Sequence, residues 1–247
     1  MPNLVDLRGA EFNRVKHYFH PGIRVLEIGG GNGFQASLIA ALGANVESID
    51  VAGQPVGAES HFFVSLYDGR TLSFPDHVFD RVFSSNVLEH IRDLEATLAE
   101  SRRVMKDDGV AIHILPTPAW RMWTSLSHYI HILMRVTGIR RADTTQSSIT
   151  PTEGLLQAVG VWNGIKRVLR AGPHGEYPSA LSEFWYFSRR RWVDVFQHNG
   201  FEIVAMAPSN IFYTGYGVFP WMPMAVRRVL ARMLGSATRI FVLRKSP

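Results

Sequence analysis

The chain has 247 residues, 46% hydrophobic and 19% charged, which excludes a disordered chain and leaves room for one large domain or one domain carrying an insertion. No cysteine is present, which excludes disulfides, cysteine-ligated zinc, iron–sulfur clusters and any cysteine nucleophile. Charge is uneven: residues 1–115 carry net −5 and residues 116–247 net +10, so the second half suits an acidic substrate, an anionic membrane surface, nucleic acid, or simply a solvated surface.

Phe12, Val15 and Phe19 recur at helical spacing and predict a short amphipathic helix within residues 2–20, ending at His20, Pro21 and Gly22. Residues 1–20 hold no apolar core of signal-peptide length, and the lack of cysteine is compatible with the cytoplasm. Arg24 to Ile28 reads as a buried parallel strand that includes Glu27. It runs into Gly29, Gly30, Gly31 and Gly33, then into a helix over 33–42 closed by Gly43. Glycines allow positive φ and close approach of a ligand to the main chain, and the free N–H groups at a helix start can bond it. Such a turn on a doubly wound sheet is a nucleotide or nucleoside site.

A second strand over 45–49 ends in Asp50, 21 residues after Gly29. An acid at that tip can accept both hydroxyls of a ribose, and Val51 can pack on an adenine ring. Residues 52–60 are turn-rich and too short for a full helix, and a third strand is expected over 61–66. A fourth strand is expected over 81–84, a helix over 93–105, a turn at Asp107, Asp108 and Gly109, and a fifth strand over 110–115.

The spacing Glu27-x-Gly29-x-Gly31-x-Gly33 resembles motif I of the class I S-adenosylmethionine (SAM) dependent methyltransferases, whose pattern is hydrophobic-(D/E)-x-G-x-G-x-G. The dinucleotide fingerprint instead spaces its glycines G-x-G-x-x-G, and Phe34 stands where its third glycine would be. The stretch from Leu72 through Pro75, Asp76, Phe79, Asp80 and Val82 is similar to the L-P-F-P-D-x-x-F-D-x-V segment of the small-molecule branch of that family, with Ser73 replacing its first proline. Ser84, Val87, Leu88, Glu89 and His90 match its S-x-x-V-L-E-H segment.

The resemblance covers residues 23–115. It implies a Rossmann-like, seven-stranded α/β fold and SAM as cofactor, held by Glu27, Gly29, Gly31, Gly33, Asp50, Val51, Asp68, Gly69, Ser85 and Asn86. Asp68 would accept the adenine amino group, Gly69 would lie along the ring, and Asp80 would cap the fourth strand. The implied division is an N-terminal helical segment (1–22), a SAM-binding half (23–115), an insertion or cap after the fifth strand (116–187) and a C-terminal part (188–247). The last contains a helix with Trp192, Val193 and Phe196, a sixth strand over 201–206 and an antiparallel seventh over 239–243.

In the insertion, residues 119–140 join Trp120, Trp123 and Tyr129 to aliphatic residues, carry no charge from Met122 to Met134, and end in Arg140 and Arg141. A lid helix and an interfacial helix both have this pattern. His128 and His131 lie one turn apart without an accompanying ligand set and read as polar-face or core histidines; no metal is expected. Residues 203–226 are uncharged, but Pro208, Pro220, Pro223, Gly215 and Gly217 oppose a membrane-spanning helix. Arg227, Arg228 and Arg232 then mark a short basic amphipathic helix.

Methyl transfer to a hydroxyl needs a group to take the proton, and histidine suits neutral pH. His90 is the first candidate, and His174 with Glu176 the second. The expected acceptor is a small molecule or a glycan- or lipid-linked precursor. Ser84 to Val87 does not carry the D/N-P-P-Y loop of base amino methyltransferases, which argues against nucleic acid. An NAD-dependent oxidoreductase and a non-catalytic binding or assembly protein remain the alternatives. The expected location is the cytoplasm, with peripheral contact at the inner face of a membrane left open.

Overall fold

The computed structural model describes residues 4–51, 60–136, 174, 179, 182–215 and 219–247. In chain order it contains α1 (Leu4–Phe12), β1 (Arg24–Ile28), α2 (Phe34–Ala40), β2 (Asn45–Asp50), β3 (Ser65–Leu66) and β4 (Phe79–Ser85). Then come α3 (Leu94–Val104), β5 (Met105–Pro116), α4 (Pro118–Val136), α5 (Ser182–Tyr186), α6 (Arg189–His198), β6 (Phe201–Pro208), α7 (Met224–Leu234) and β7 (Thr238–Lys245). Short 3-10 turns cover Lys16–Tyr18 and Leu88–His90.

The seven strands form one sheet in the order β3-β2-β1-β4-β5-β7-β6. The pairings among β1 to β5 are parallel, and β7 runs antiparallel to both β5 and β6. Chain order reverses between β1 and β4, which opens a crevice at their carboxyl ends.

Alternation along the strands builds a core on each face. Leu26 and Ile28 point to one side, with Leu98 and Val104 of α3 and Trp192 and Phe196 of α6. Val25, Ile112 and Ile114 point to the other, with Ile39 of α2 and with Phe12, Val15 and Phe19. Those last three were expected on one helix; the chain instead uses α1, a 3-10 turn and an extended residue to seat them.

Two further expectations change. The third strand is only two residues long, because only Ser65 and Leu66 pair with β2. The turn expected at Asp107 to Gly109 is a bulge inside one long β5: Phe79 pairs with Met105 and Arg81 with Val110, so the extra residues of β5 loop out without breaking the strand. Among the described residues, no helix is long and apolar enough to cross a membrane.

Candidate functional site

Each glycine of the turn has its own reason. Gly29, Gly31 and Gly33 all have positive φ. A Cβ on Gly29 would lie 2.2 Å from Val87 Cγ2, so the loop after β4 rests directly on the turn. On Gly33 it would meet the backbone oxygen of Phe62 at 2.6 Å. At Gly31 it would meet nothing within 4 Å. Two of the three glycines therefore admit other parts of the protein, and only Gly31 faces open space where a ligand can approach.

The turn is fastened to β2. The N–H groups of Gly29 and Gly30 donate to the Ile49 carbonyl at 2.8 and 3.0 Å, and Gly31 N–H donates to Asp50 Oδ2 at 2.9 Å. Asp50 thus stands at the tip of β2 beside the open glycine. Glu27 lies beneath the turn, 2% exposed, and its Oε2 accepts from Ser48 Oγ at 2.6 Å. Burial pushes its pKa up to about 7, against the Ser48 bond and with help from Asp50. Glu27 therefore supports the turn from below.

The raised value has a measurable consequence. From about pH 4.5 to 7 the folded chain keeps the Glu27 proton while the unfolded chain has lost it, so this group makes stability fall as pH rises. The shift corresponds to about 3 kcal/mol, fully expressed above pH 7. In Glu27→Gln the fall should be absent. Urea unfolding at pH 5 and pH 8 should show the variant gaining on the parent; equal pH slopes would show that Glu27 titrates normally.

Val51 is exposed, and a Cβ on Gly69 would lie 3.0 Å from its Cγ1, so these two predicted residues do face each other. Asp68 Oδ1 accepts from the Arg70 and Thr71 N–H groups, both at 2.8 Å, and these bonds hold its carboxyl below the usual range. Asp68 thus caps its own turn. Ser85 and Asn86 end β4: Asn86 has φ of 56°, its N–H donates to the Ile114 carbonyl and its Nδ2 donates to Ser85 Oγ at 3.2 Å. Asp80 joins β1 to β4, accepting from Arg24 N–H at 2.8 Å and Lys106 Nζ at 2.7 Å.

The two histidines named from the sequence meet. The His90 and His174 rings have centroids 4.8 Å apart, and Trp120 of α4 lies 4.6 Å from His174 on an edge-to-face angle. The His174 N–H donates to Glu183 Oε1 at 2.5 Å. Glu183 is fully buried and pairs with the buried Arg121 at 3.0 Å. One edge of His174 stays exposed, yet burial of the rest lowers its pKa to about 4, helped by His90, Arg121 and Arg8. Glu176 lies outside the described residues.

Sequence reasoning did not single out Glu89. It is completely buried, and its Oε1 lies 3.8 Å from His90 Nε2. Neither of its oxygens accepts a hydrogen bond from another described residue. Burial pushes its pKa up to about 8. Glu11 near it and Arg121 near His174 were likewise invisible, because a charge within a helical pattern reads as a solvated face. For Glu89 the available signals were its adjacency to His90 and its place in the S-x-x-V-L-E-H segment.

A family model described as a methyltransferase domain matches residues 7–206. The chain belongs to this family, the class I SAM-dependent methyltransferases. SAM is the cofactor of that family, and the dinucleotide alternative is set aside. A demethylmenaquinone methyltransferase of Corynebacterium urealyticum is 36% identical over 101 residues, 40% of this chain and 44% of that protein. A mitochondrial ubiquinone biosynthesis O-methyltransferase of Bos taurus is 32% identical over 100 residues, 36% of this chain and 27% of that protein. The chain spans about half or less of the length of the curated relatives it matches. A SAM-dependent methyltransferase structure from Mesorhizobium loti superposes with TM-score 0.55 at 15% identity, covering 96% of this chain and 98% of the other, and supports the fold.

Proposed function

We propose that this chain moves the methyl group of SAM to a hydroxyl of a small, largely apolar acceptor. The observation that supports this most is the placement of the loop after β4. Its Val87 lies on the glycine turn, and its His90 meets His174 a few residues later. Adenosine would lie along Gly31, Asp50, Val51, Asp68 and Gly69, and the acceptor would enter at the histidine pair. Transfer is an in-line displacement, so the protein mainly aligns the oxygen with the methyl carbon and excludes water. The acceptor loses its proton at the His90–His174 end. The named activities of the quinone relatives support an acceptor with an apolar ring or chain, and a glycan- or lipid-linked precursor has the same requirement.

Residues 116–187 act in this reading as a cap that chooses the acceptor; His174 meets His90, and Trp120 packs against His174. Helix α7 supports peripheral membrane contact. This helix buries Arg227, which donates to the Met222, Phe212 and Phe219 carbonyls, and turns Val226, Val229 and Met233 outward beside Arg228 and Arg232. Co-sedimentation with anionic but not with neutral vesicles is expected; no co-sedimentation with either removes the membrane part.

Calorimetry should show SAM and S-adenosylhomocysteine binding and no NAD binding. Hydrogen bonds to a charged acceptor contribute about 1.5–3 kcal/mol each, so Asp50→Ala should raise the SAM dissociation constant at least about tenfold. Unchanged affinity in a folded Asp50→Ala variant would reduce Asp50 to a clamp on Gly31. Formation of S-adenosylhomocysteine with a methylated acceptor separates this reading from a binding protein that shares the fold.

A further inference from the structure

We propose that Glu89, His90 and His174 form a binding site for one divalent transition-metal cation at the acceptor end of the cleft. The proposal rests on the methyltransferase reading only for what the cation does, not for its binding.

Three observations carry it. Glu89, His90 and His174 present ligand atoms all within 4.8 Å of one another, the one such group among the described residues. The carboxylate of Glu89 is fully buried and receives no hydrogen bond from another described residue. A buried carboxyl group that receives no hydrogen bond is costly, and a bound cation is one of the few things that stabilises its ionised form there. The local charge balance also leaves Glu89 over. Arg8 is paired with Glu11 at 2.7 Å and Arg121 with Glu183 at 3.0 Å, so both nearby guanidinium groups already have carboxylate partners.

The geometry suits an ion of that class. Ligand atoms at about 2.1 Å from a common ion lie no more than about 4.2 Å apart. Closing the set from 4.8 Å takes a shift of well under one ångström per ligand. His90 has a side chain 42% exposed and can supply that movement. His174 is held at its backbone by Glu183 and on one face by Trp120, which leaves the imidazole to turn toward the ion. Two imidazoles and one carboxylate favour zinc, manganese, iron(II) or cobalt(II) over magnesium or calcium, which take mostly oxygen ligands. Three protein ligands leave positions open for an acceptor oxygen.

The cation would make the acceptor hydroxyl more acidic, as it does for bound water. The proton leaves to solvent, the oxygen forms a bond to the methyl carbon, and the carbon–sulfur electron pair returns to sulfur. The products are the methyl ether, S-adenosylhomocysteine and one proton.

Cobalt(II) titrated into chelator-stripped protein is the test, read by its visible d–d absorption and by calorimetry. One ion per chain is expected, with affinity at least tenfold lower in Glu89→Gln and in His174→Ala. Glu89→Gln keeps the size and shape of the buried side chain, and His174→Ala lies at an exposed position, so at least one should fold. No binding, more than one equivalent with equal affinity, or affinity unchanged in both variants overturns the site. Full turnover of the stripped protein with chelator present overturns its catalytic use while leaving methyl transfer intact. Cobalt binding without SAM binding would sustain the ion site and remove the methyltransferase reading.

Discussion

Replacing His90 by alanine should lower turnover by about 10²–10⁴-fold while leaving SAM affinity essentially unchanged. The imidazole sits after β4, on a loop whose Val87 rests on the glycine turn, and its ring lies 4.8 Å from that of His174. Adenosine would be held on the other side of the turn, by Asp50 and by the Val51–Gly69 surface. Loss of an interaction made only as the acceptor reacts lowers kcat and kcat/KM together, whereas lost cofactor binding raises the SAM dissociation constant. The informative comparison is therefore kcat on a working acceptor beside SAM calorimetry on the same preparation. His174→Ala should fall in the same direction, since the two rings meet at the acceptor end of the cleft. Near-normal turnover in His90→Ala would transfer the role away from this pair.

Glu11→Ala should destabilise the fold by about 3–5 kcal/mol, the cost of breaking a buried charged network from one side. Glu11 is 0% exposed although it lies in the first helix of the chain. Its carboxylate accepts from Arg8 Nη1 at 2.7 Å, from the Tyr213 hydroxyl at 2.9 Å and from Thr238 Oγ1 at 2.5 Å. These bonds tie α1 to the 211–213 segment and to the start of β7, beside the Trp120 cluster that borders His174. Removing the carboxylate leaves the buried Tyr213 and Thr238 hydroxyls without their acceptor and the partly buried Arg8 without its carboxylate. Glu11→Gln keeps part of the network and should cost less, about 1–3 kcal/mol. Replacing both charges, Arg8→Met with Glu11→Leu, should recover only the ion-pair part of the loss, because apolar pairs of similar volume often match a buried ion pair while the Tyr213 and Thr238 hydroxyls stay without their acceptor. Urea unfolding of the four proteins measures this. A Glu11→Ala loss below 1 kcal/mol would mean that water reaches the site and replaces the missing acceptor.

Much of the architecture was legible in the chain, and for local reasons. Strand β1 was bounded correctly because an apolar run between Arg24 and the glycines leaves one choice of strand. Asp93 was legible as a helix start, and its side chain does accept from Ala96 N–H. The antiparallel seventh strand followed from family resemblance, since no single spacing shows strand order. The limits of β3 and β5 were missed because pairing, not propensity, ends a strand: β3 stops where β2 offers no further partner, and β5 passes through an acidic bulge because β4 continues beside it.

At the cleft the division is sharper. Glu27, Gly29, Gly31, Gly33 and Asp50 were named from their spacing together with its resemblance to motif I, because a turn of this kind needs those residue types close together. Which glycine faces a ligand was decided by Val87 and Phe62, far along the chain, whose packing accounts for two of the three. The meeting of His90 with His174 could not be read either, since a β4 loop and an insertion residue become neighbours only when the sheet is complete. The same holds for Glu89 and Glu11. In the linear pattern Glu11 is a charge with ordinary surroundings, and Glu89 is a motif residue whose burial no spacing shows. Only the packed chain removes their water, gives Glu11 three donors and Glu89 none among the described residues, and so makes the first a clamp and the second an unusual carboxyl group of the cleft.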